Sequence, residues 1–104
     1  MAKLTKVADT ADLAPGQGKV VDADGKALAL FNVDGTFYAI GNTCGHRGGP
    51  LGQGMLEGSI VMCPWHAWTY DVTTGVSTVN PELTVARYEV KVEDGGVWVR
   101  TTPA

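Results

Sequence analysis

A chain of 104 residues has the length of one domain, with no room for a second. Hydrophobic residues make up 44% and charged residues 18%, a balance that excludes a disordered chain. Eight Lys and Arg against eleven Asp and Glu give a net charge of −3, which argues against a nucleic-acid surface or a basic membrane face.

No run of residues approaches the roughly 18 apolar positions of a membrane span. The opening segment Met1-Ala2-Lys3-Leu4-Thr5-Lys6-Val7 lacks the apolar region of a signal peptide, so the expected location is the cytoplasm. In a reducing compartment the two cysteines, Cys44 and Cys63, are expected to act as ligands or catalysts and not as a bridge.

With 14 Gly and 5 Pro, the chain reads as short strands joined by turns. Asp9 to Leu13 predicts one helical turn, stopped by Pro15-Gly16. Lys19–Asp22 and 26–33 read as strands joined by Asp24-Gly25, with Ala27, Ala29, Phe31 and Val33 on one face of the second. Asp34-Gly35 then leads into Thr36–Ile40, the strongest hairpin signal in the chain. Residues 41–81 hold two loops rich in Gly and Pro, with a strand pair at 58–62 and 67–71. Leu83 to Val92 predicts one strand, Ala86, Tyr88, Val90 and Val92 facing one way and Arg87, Glu89 and Lys91 the other. Asp94-Gly95-Gly96 turns it into Val97–Arg100. There is no internal repeat and no low-complexity segment.

The chemistry is concentrated in 41–81. Cys44-Gly45-His46 is followed, after sixteen intervening residues, by Cys63-Pro64-Trp65-His66, and these are the only two Cys and two His of the chain. Buried unligated cysteines beside unrelated histidines would leave that coincidence unexplained. A Cys44–Cys63 disulfide leaves both histidines idle. A catalytic Cys–His pair leaves one pair idle. A tetrahedral zinc site has the right ligand set, although zinc halves usually group like ligands, and here each half is mixed. An iron–sulfur centre with two Cys on one iron and two His on the other uses all four.

The pattern Cys-x-His, sixteen residues, Cys-x-x-His resembles the signature of Rieske [2Fe–2S] proteins. His46-Arg47-Gly48 and Cys63-Pro64-Trp65-His66-Ala67-Trp68-Thr69-Tyr70-Asp71 look like the two loops of Rieske ferredoxins and of oxygenase Rieske domains. The resemblance covers essentially the whole chain. It implies an all-β fold: an antiparallel β-sandwich of the Rieske iron–sulfur-protein type, a single domain over 1–104 with a small cluster-binding subdomain at about 42–81. It also implies one [2Fe–2S] cluster, with Cys44 and Cys63 binding the buried iron and His46 and His66 the outer one.

The high-potential Rieske proteins of cytochrome bc complexes carry a bridging Cys in each loop and a Ser two residues after the second ligand His. Gly49, Trp65 and Trp68 stand at those positions here, and Tyr70 stands where that family's Tyr donates to a ligand sulfur. Missing donors destabilise the reduced cluster, so the potential is expected toward the low end of the Rieske range of roughly −150 to +300 mV.

The implied function is one-electron carriage, as a monomer, from an NAD(P)H-dependent flavoprotein reductase to a terminal ring-hydroxylating oxygenase. The small Rieske subunit of a nitrite reductase and a cluster-bearing regulatory module are alternatives. With both histidines used, no 2-His-1-carboxylate site is possible, which argues against a complete oxygenase. Arg47 is the one cation of 45–54 and 64–69 besides the two expected ligand histidines, and these segments hold no acid. Partner contact is therefore expected to depend on Pro50, Leu51, Pro64 and Trp65. Trp68 is expected to cover the loops, Met55 and Leu56 to pack beneath them, Gly52, Gly54 and Gly58 to serve only as turns, and Trp98 to lie in the core or on a sheet.

Overall fold

Asp-Gly turns set the frame of the protein. In a computed structural model, which describes residues 4–23, 25–42, 51–63, 68–79, 82 and 84–100, Asp34 and Gly35 have φ of 51° and 92°, and Asp94 and Gly95 of 52° and 75°. Two successive positive φ values are what a two-residue turn needs to match the twist of its flanking strands. The first turn joins β3 (Lys26–Val33) to β4 (Thr36–Gly41); the second joins β9 (Val90–Glu93) to β10 (Gly96–Arg100). Gly25, at φ 86°, leads from β2 (Gly18–Ala23) into β3. All three hairpins fall where the sequence puts them. The predicted helical turn is a 3₁₀ turn over Thr10–Asp12, whose Asp12 carboxylate accepts the Asp9 N–H at 3.0 Å.

The strands form three antiparallel sheets. One has the order β1-β10-β9, with β1 at Leu4–Asp9. The second runs β2-β3-β4-β8, with β8 at Arg87–Tyr88. The third, smaller sheet is β5 (Met55–Glu57), β6 (Ile60–Met62) and β7 (Thr69–Asp71). The four-stranded sheet is the middle layer, because β3 is buried on both faces. Leu28 and Leu30 enter a core with Val97 and Val99. Ala29 and Phe31 enter a second core with Val61 and Tyr70. A strand covered on both faces reads as a continuous apolar run, which is what 26–33 is. The all-β sandwich expected from the sequence is the observed architecture.

One strand is not marked in the sequence, and one expectation changes. β1 has no clean alternation, only Ala8 being buried, and is fixed by pairing with β10 (Leu4↔Arg100 to Asp9↔Gly96). The single strand expected over Leu83–Val92 is divided. Tyr88 pairs with Ala39 of the middle sheet, whereas Val90 pairs with Val99 of the outer one. The chain passes between sheets at Glu89, whose carbonyl accepts the Arg100 N–H at 2.9 Å. Polar–apolar alternation is the same whichever sheet supplies the partner, so it does not reveal the switch. Tyr88 and Val90 pack on the first core, but Ala86 is exposed and Val92 is 49% exposed. Leu83 lies outside the described residues.

Candidate metal centre

The small sheet and the end of β4 deliver the two Cys–His segments. β4 ends at Gly41, and Asn42 follows. Across the segment that carries Cys44 and His46, the Leu51 N–H donates to the Asn42 carbonyl at 2.7 Å and the Gly52 N–H donates to Asn42 Oδ1 at 2.8 Å. A 3₁₀ turn, Leu51–Gln53, leads to β5. Gly58, at φ 61°, turns β5 into β6, which ends at Met62 beside Cys63. The Cys63 N–H donates to the Trp68 carbonyl at 2.7 Å, closing the segment that carries His66, and β7 follows.

Two glycines read as simple turns have a stricter task. A Cβ on Gly52 would lie 2.8 Å from the backbone of Lys19 and Val20. One on Gly54 would strike the carbonyl oxygen of Met62. Both bring the first segment's exit against neighbouring backbone, as only glycine permits. Gly58 is a turn glycine, with open space where a Cβ would be. The bases of the two segments therefore adjoin: Leu51 and Cys63 lie in one buried cluster with Val61, Tyr70 and Val72.

Of the four expected ligands, the structure places Cys63, which is 1% exposed. Cys44, His46 and His66 lie outside the described residues, as do Arg47, Gly48, Gly49, Pro50, Pro64 and Trp65. A thiolate in so apolar a site would be desolvated, and a bound metal ion would supply the compensating charge. Two thiols and two imidazoles, one of each in two segments that adjoin at their bases, suit a [2Fe–2S] cluster with mixed ligands. The described residues 51–56, 59–63 and 68–70 carry no charge; Glu57 and Asp71 stand at the far ends of β5 and β7.

Trp68 is half-buried against the second core, in keeping with a covering role. Tyr70 is fully buried in the cluster that holds Cys63. Trp98 is half-buried on the outer sheet. Two expectations are corrected. Met55 does not pack beneath the loops: it is 72% exposed, because β5 turns its alternate residues outward, and Leu56 alone packs inward. Leu51 is fully buried and serves as the anchor of the first segment, so it offers no surface to a partner. The residue that sequence reasoning missed is Asn42, whose two hydrogen bonds tie the ends of that segment. An Asn two residues before a Cys gives no local signal of such a role.

Two Cys–His segments whose described ends adjoin on an antiparallel β scaffold point to a class of small iron–sulfur proteins. The chain belongs to the Rieske [2Fe–2S] domain family, whose model matches residues 3–91, and it carries that family's single [2Fe–2S] cluster. It is 35% identical over 96 residues to the ferredoxin CarAc of Metapseudomonas resinovorans, covering 90% of each chain. It superposes with a TM-score of 0.89 and 31% identity on a chain of the complex between reduced oxygenase and oxidized ferredoxin of carbazole 1,9a-dioxygenase, covering 97% of this chain and 95% of that one. It also resembles a chain assigned as the NADH-dependent nitrite reductase small subunit of Mycobacterium tuberculosis, with a TM-score of 0.90 and 25% identity over 100% and 99% of the two chains. Among the described residues no helix is long and apolar enough to cross a membrane.

Proposed function

We propose that this protein is the ferredoxin component of a multicomponent oxygenase system. An NAD(P)H-dependent flavoprotein reductase loads it, and a terminal oxygenase of the ring-hydroxylating type receives the electron. The observation that carries this reading is the likeness to a ferredoxin over 90% of both chains. The chain is a carrier and not a catalyst: both of its histidines fall in the Cys–His segments, so none is left for a substrate-oxidising iron.

Cys44 and Cys63 hold one iron and His46 and His66 the other, within a cluster-binding subdomain at about 42–81 of a single domain. A cluster bound there would supply one-electron uptake and release. Around it, the apolar packing of Cys63 excludes water from the thiolate side. Neutral imidazoles remove negative charge from the outer side, which raises the potential relative to an all-Cys site. Trp68 stands where a donating Ser would raise it further, so the potential lies toward the low end of the Rieske range. The uncharged residues at the base of the segments support docking through Pro50, Pro64 and Trp65, with weak electrostatic steering. The protein acts as a monomer in the cytoplasm.

The near-complete likeness to the nitrite reductase small subunit supports a second reading, in which the same cluster serves a permanent enzyme complex. Purification under native conditions separates the two. A free, coloured carrier with Rieske-type visible absorption and electron paramagnetic resonance, reduced by NADH only when a flavoprotein reductase is added, is the expected result. Stable co-purification with a large reductase subunit would support the second reading. A colourless protein would overturn both.

A further inference from the structure

Both Cys–His segments are closed at their bases, but by different chemistry. In the second, the bond from the Cys63 N–H to the Trp68 carbonyl at 2.7 Å is backbone to backbone, beyond the reach of a side-chain substitution. In the first, one closing bond uses a side chain. Asn42 accepts twice, its carbonyl taking the Leu51 N–H at 2.7 Å and its Oδ1 the Gly52 N–H at 2.8 Å. Its own N–H donates to the Ala27 carbonyl of β3 at 3.4 Å, so the tie is anchored in the middle sheet. The far side is equally constrained. Leu51 is fully buried, and Gly52 backs onto Lys19 and Val20 so closely that a Cβ would not fit. Gly52 is itself buried, so without Asn42 Oδ1 its N–H has no water to turn to.

We propose that Asn42 is a positioning residue for the cluster: its side-chain clasp fixes the spacing of the ends from which Cys44 and His46 are presented. The inference rests on the ligand reading given above. Cys44 is two residues from Asn42, so a clasp at 42 acts directly on where the thiolate emerges. An Asn at this position supplies an acceptor at the right reach, and Leu has nearly the same volume without one.

The test uses the full-length, cluster-loaded protein and two variants, Asn42→Leu, which removes the acceptor, and Asn42→Asp, which keeps an oxygen at Oδ1. Two quantities are read: the rate at which an iron chelator bleaches the visible absorption, and the linewidth of the reduced electron paramagnetic resonance signal. Asn42→Leu is expected to bleach roughly five to ten times faster, the factor one lost hydrogen bond corresponds to, and to show broadened resonances. Asn42→Asp is expected to stay within about twofold of the wild type with an unbroadened signal. If Asn42→Leu cannot be loaded, normal loading of Asn42→Asp supports the clasp. The inference is overturned if Asn42→Leu matches the wild type, or if Asn42→Asp is as impaired as Asn42→Leu. A wild-type protein without a cluster would instead fail the ligand reading, a separate and visible outcome.

Discussion

The two cores of this protein lie on opposite faces of the same four-stranded sheet and are held by different means. The first, around Leu28, Leu30, Val97 and Val99, is closed by strands of four to eight residues, with the two-residue β8 at one edge, and by tight Asp-Gly hairpins. Its outer surface is laced with ion pairs: Lys6–Asp9 at 2.8 Å, Lys91–Glu93 at 3.3 Å and Arg100–Glu89 at 3.0 Å. The second, around Phe31, Val61, Cys63 and Tyr70, is covered by a sheet whose strands are three residues long. That sheet shows Met55 and Met62 to solvent, at 72% and 42% exposure. Three-residue strands supply few ladder bonds, and a small sheet is marginal alone. The two regions divide the labour: the hairpin-built body folds on local pairing, whereas the small sheet depends on its seat on β3 and β4 and, on the ligand set proposed above, on the metal that would tie its segments together.

The largest expected effect breaks only the second region. Cys63→Ser should give a protein without Rieske-type absorption, while the far-ultraviolet circular dichroism of the body remains. A coloured Cys63→Ser protein with an unchanged spectrum would show that the buried thiol is no ligand. Phe31→Ala comes next. The ring is fully buried under the small sheet, so truncation should cost about 3–5 kcal/mol in denaturant unfolding. Because the ring belongs to the second core, cluster loss should begin at lower denaturant than unfolding of the body.

Gly35→Ala acts on the hairpin-built body alone. Its φ of 92° disfavours a Cβ on conformational grounds although the space is open. A loss of about 1–2 kcal/mol, with no change in the cluster's absorption, is expected. The smallest effect belongs to the surface. Lys6 is titrated upward by its hydrogen bond to the Asp9 carboxylate, and then by the charges of Asp9 and Asp12, with burial opposing. A raised lysine contributes in full at pH values below its unfolded value and loses that contribution as the pH rises through the folded one. The pair lies on the surface, its side chains 50% and 56% exposed, so Lys6→Met should leave the melting temperature at neutral pH unchanged.

What the sequence discloses follows the same division. The body is legible because Asp34-Gly35 and Asp94-Gly95 signal their turns locally and because the apolar run 26–33 marks β3. β1 escapes notice because only its pairing to β10 makes it a strand. The change of sheet at Glu89 escapes because alternation is indifferent to the partner. Around the candidate centre, the four ligand residues stand out by spacing. The roles of Leu51, Gly52, Gly54 and Asn42 depend on which distant backbone lies against them, and that information is tertiary. Met55 reads as a core residue by hydropathy, yet it occupies the outward position of an edge strand.

Hydrogen–deuterium exchange on the cluster-loaded protein and on its chelator-stripped form tests the division most directly. On removal of the cluster, the amides of 51–63 and 68–78 should lose protection by an order of magnitude or more, including that of Cys63, which is bonded to Trp68. Those of β3 and β10 should keep theirs. Equal loss across Leu30, Val99 and Val61, or no loss at Val61 and Tyr70, would contradict the account.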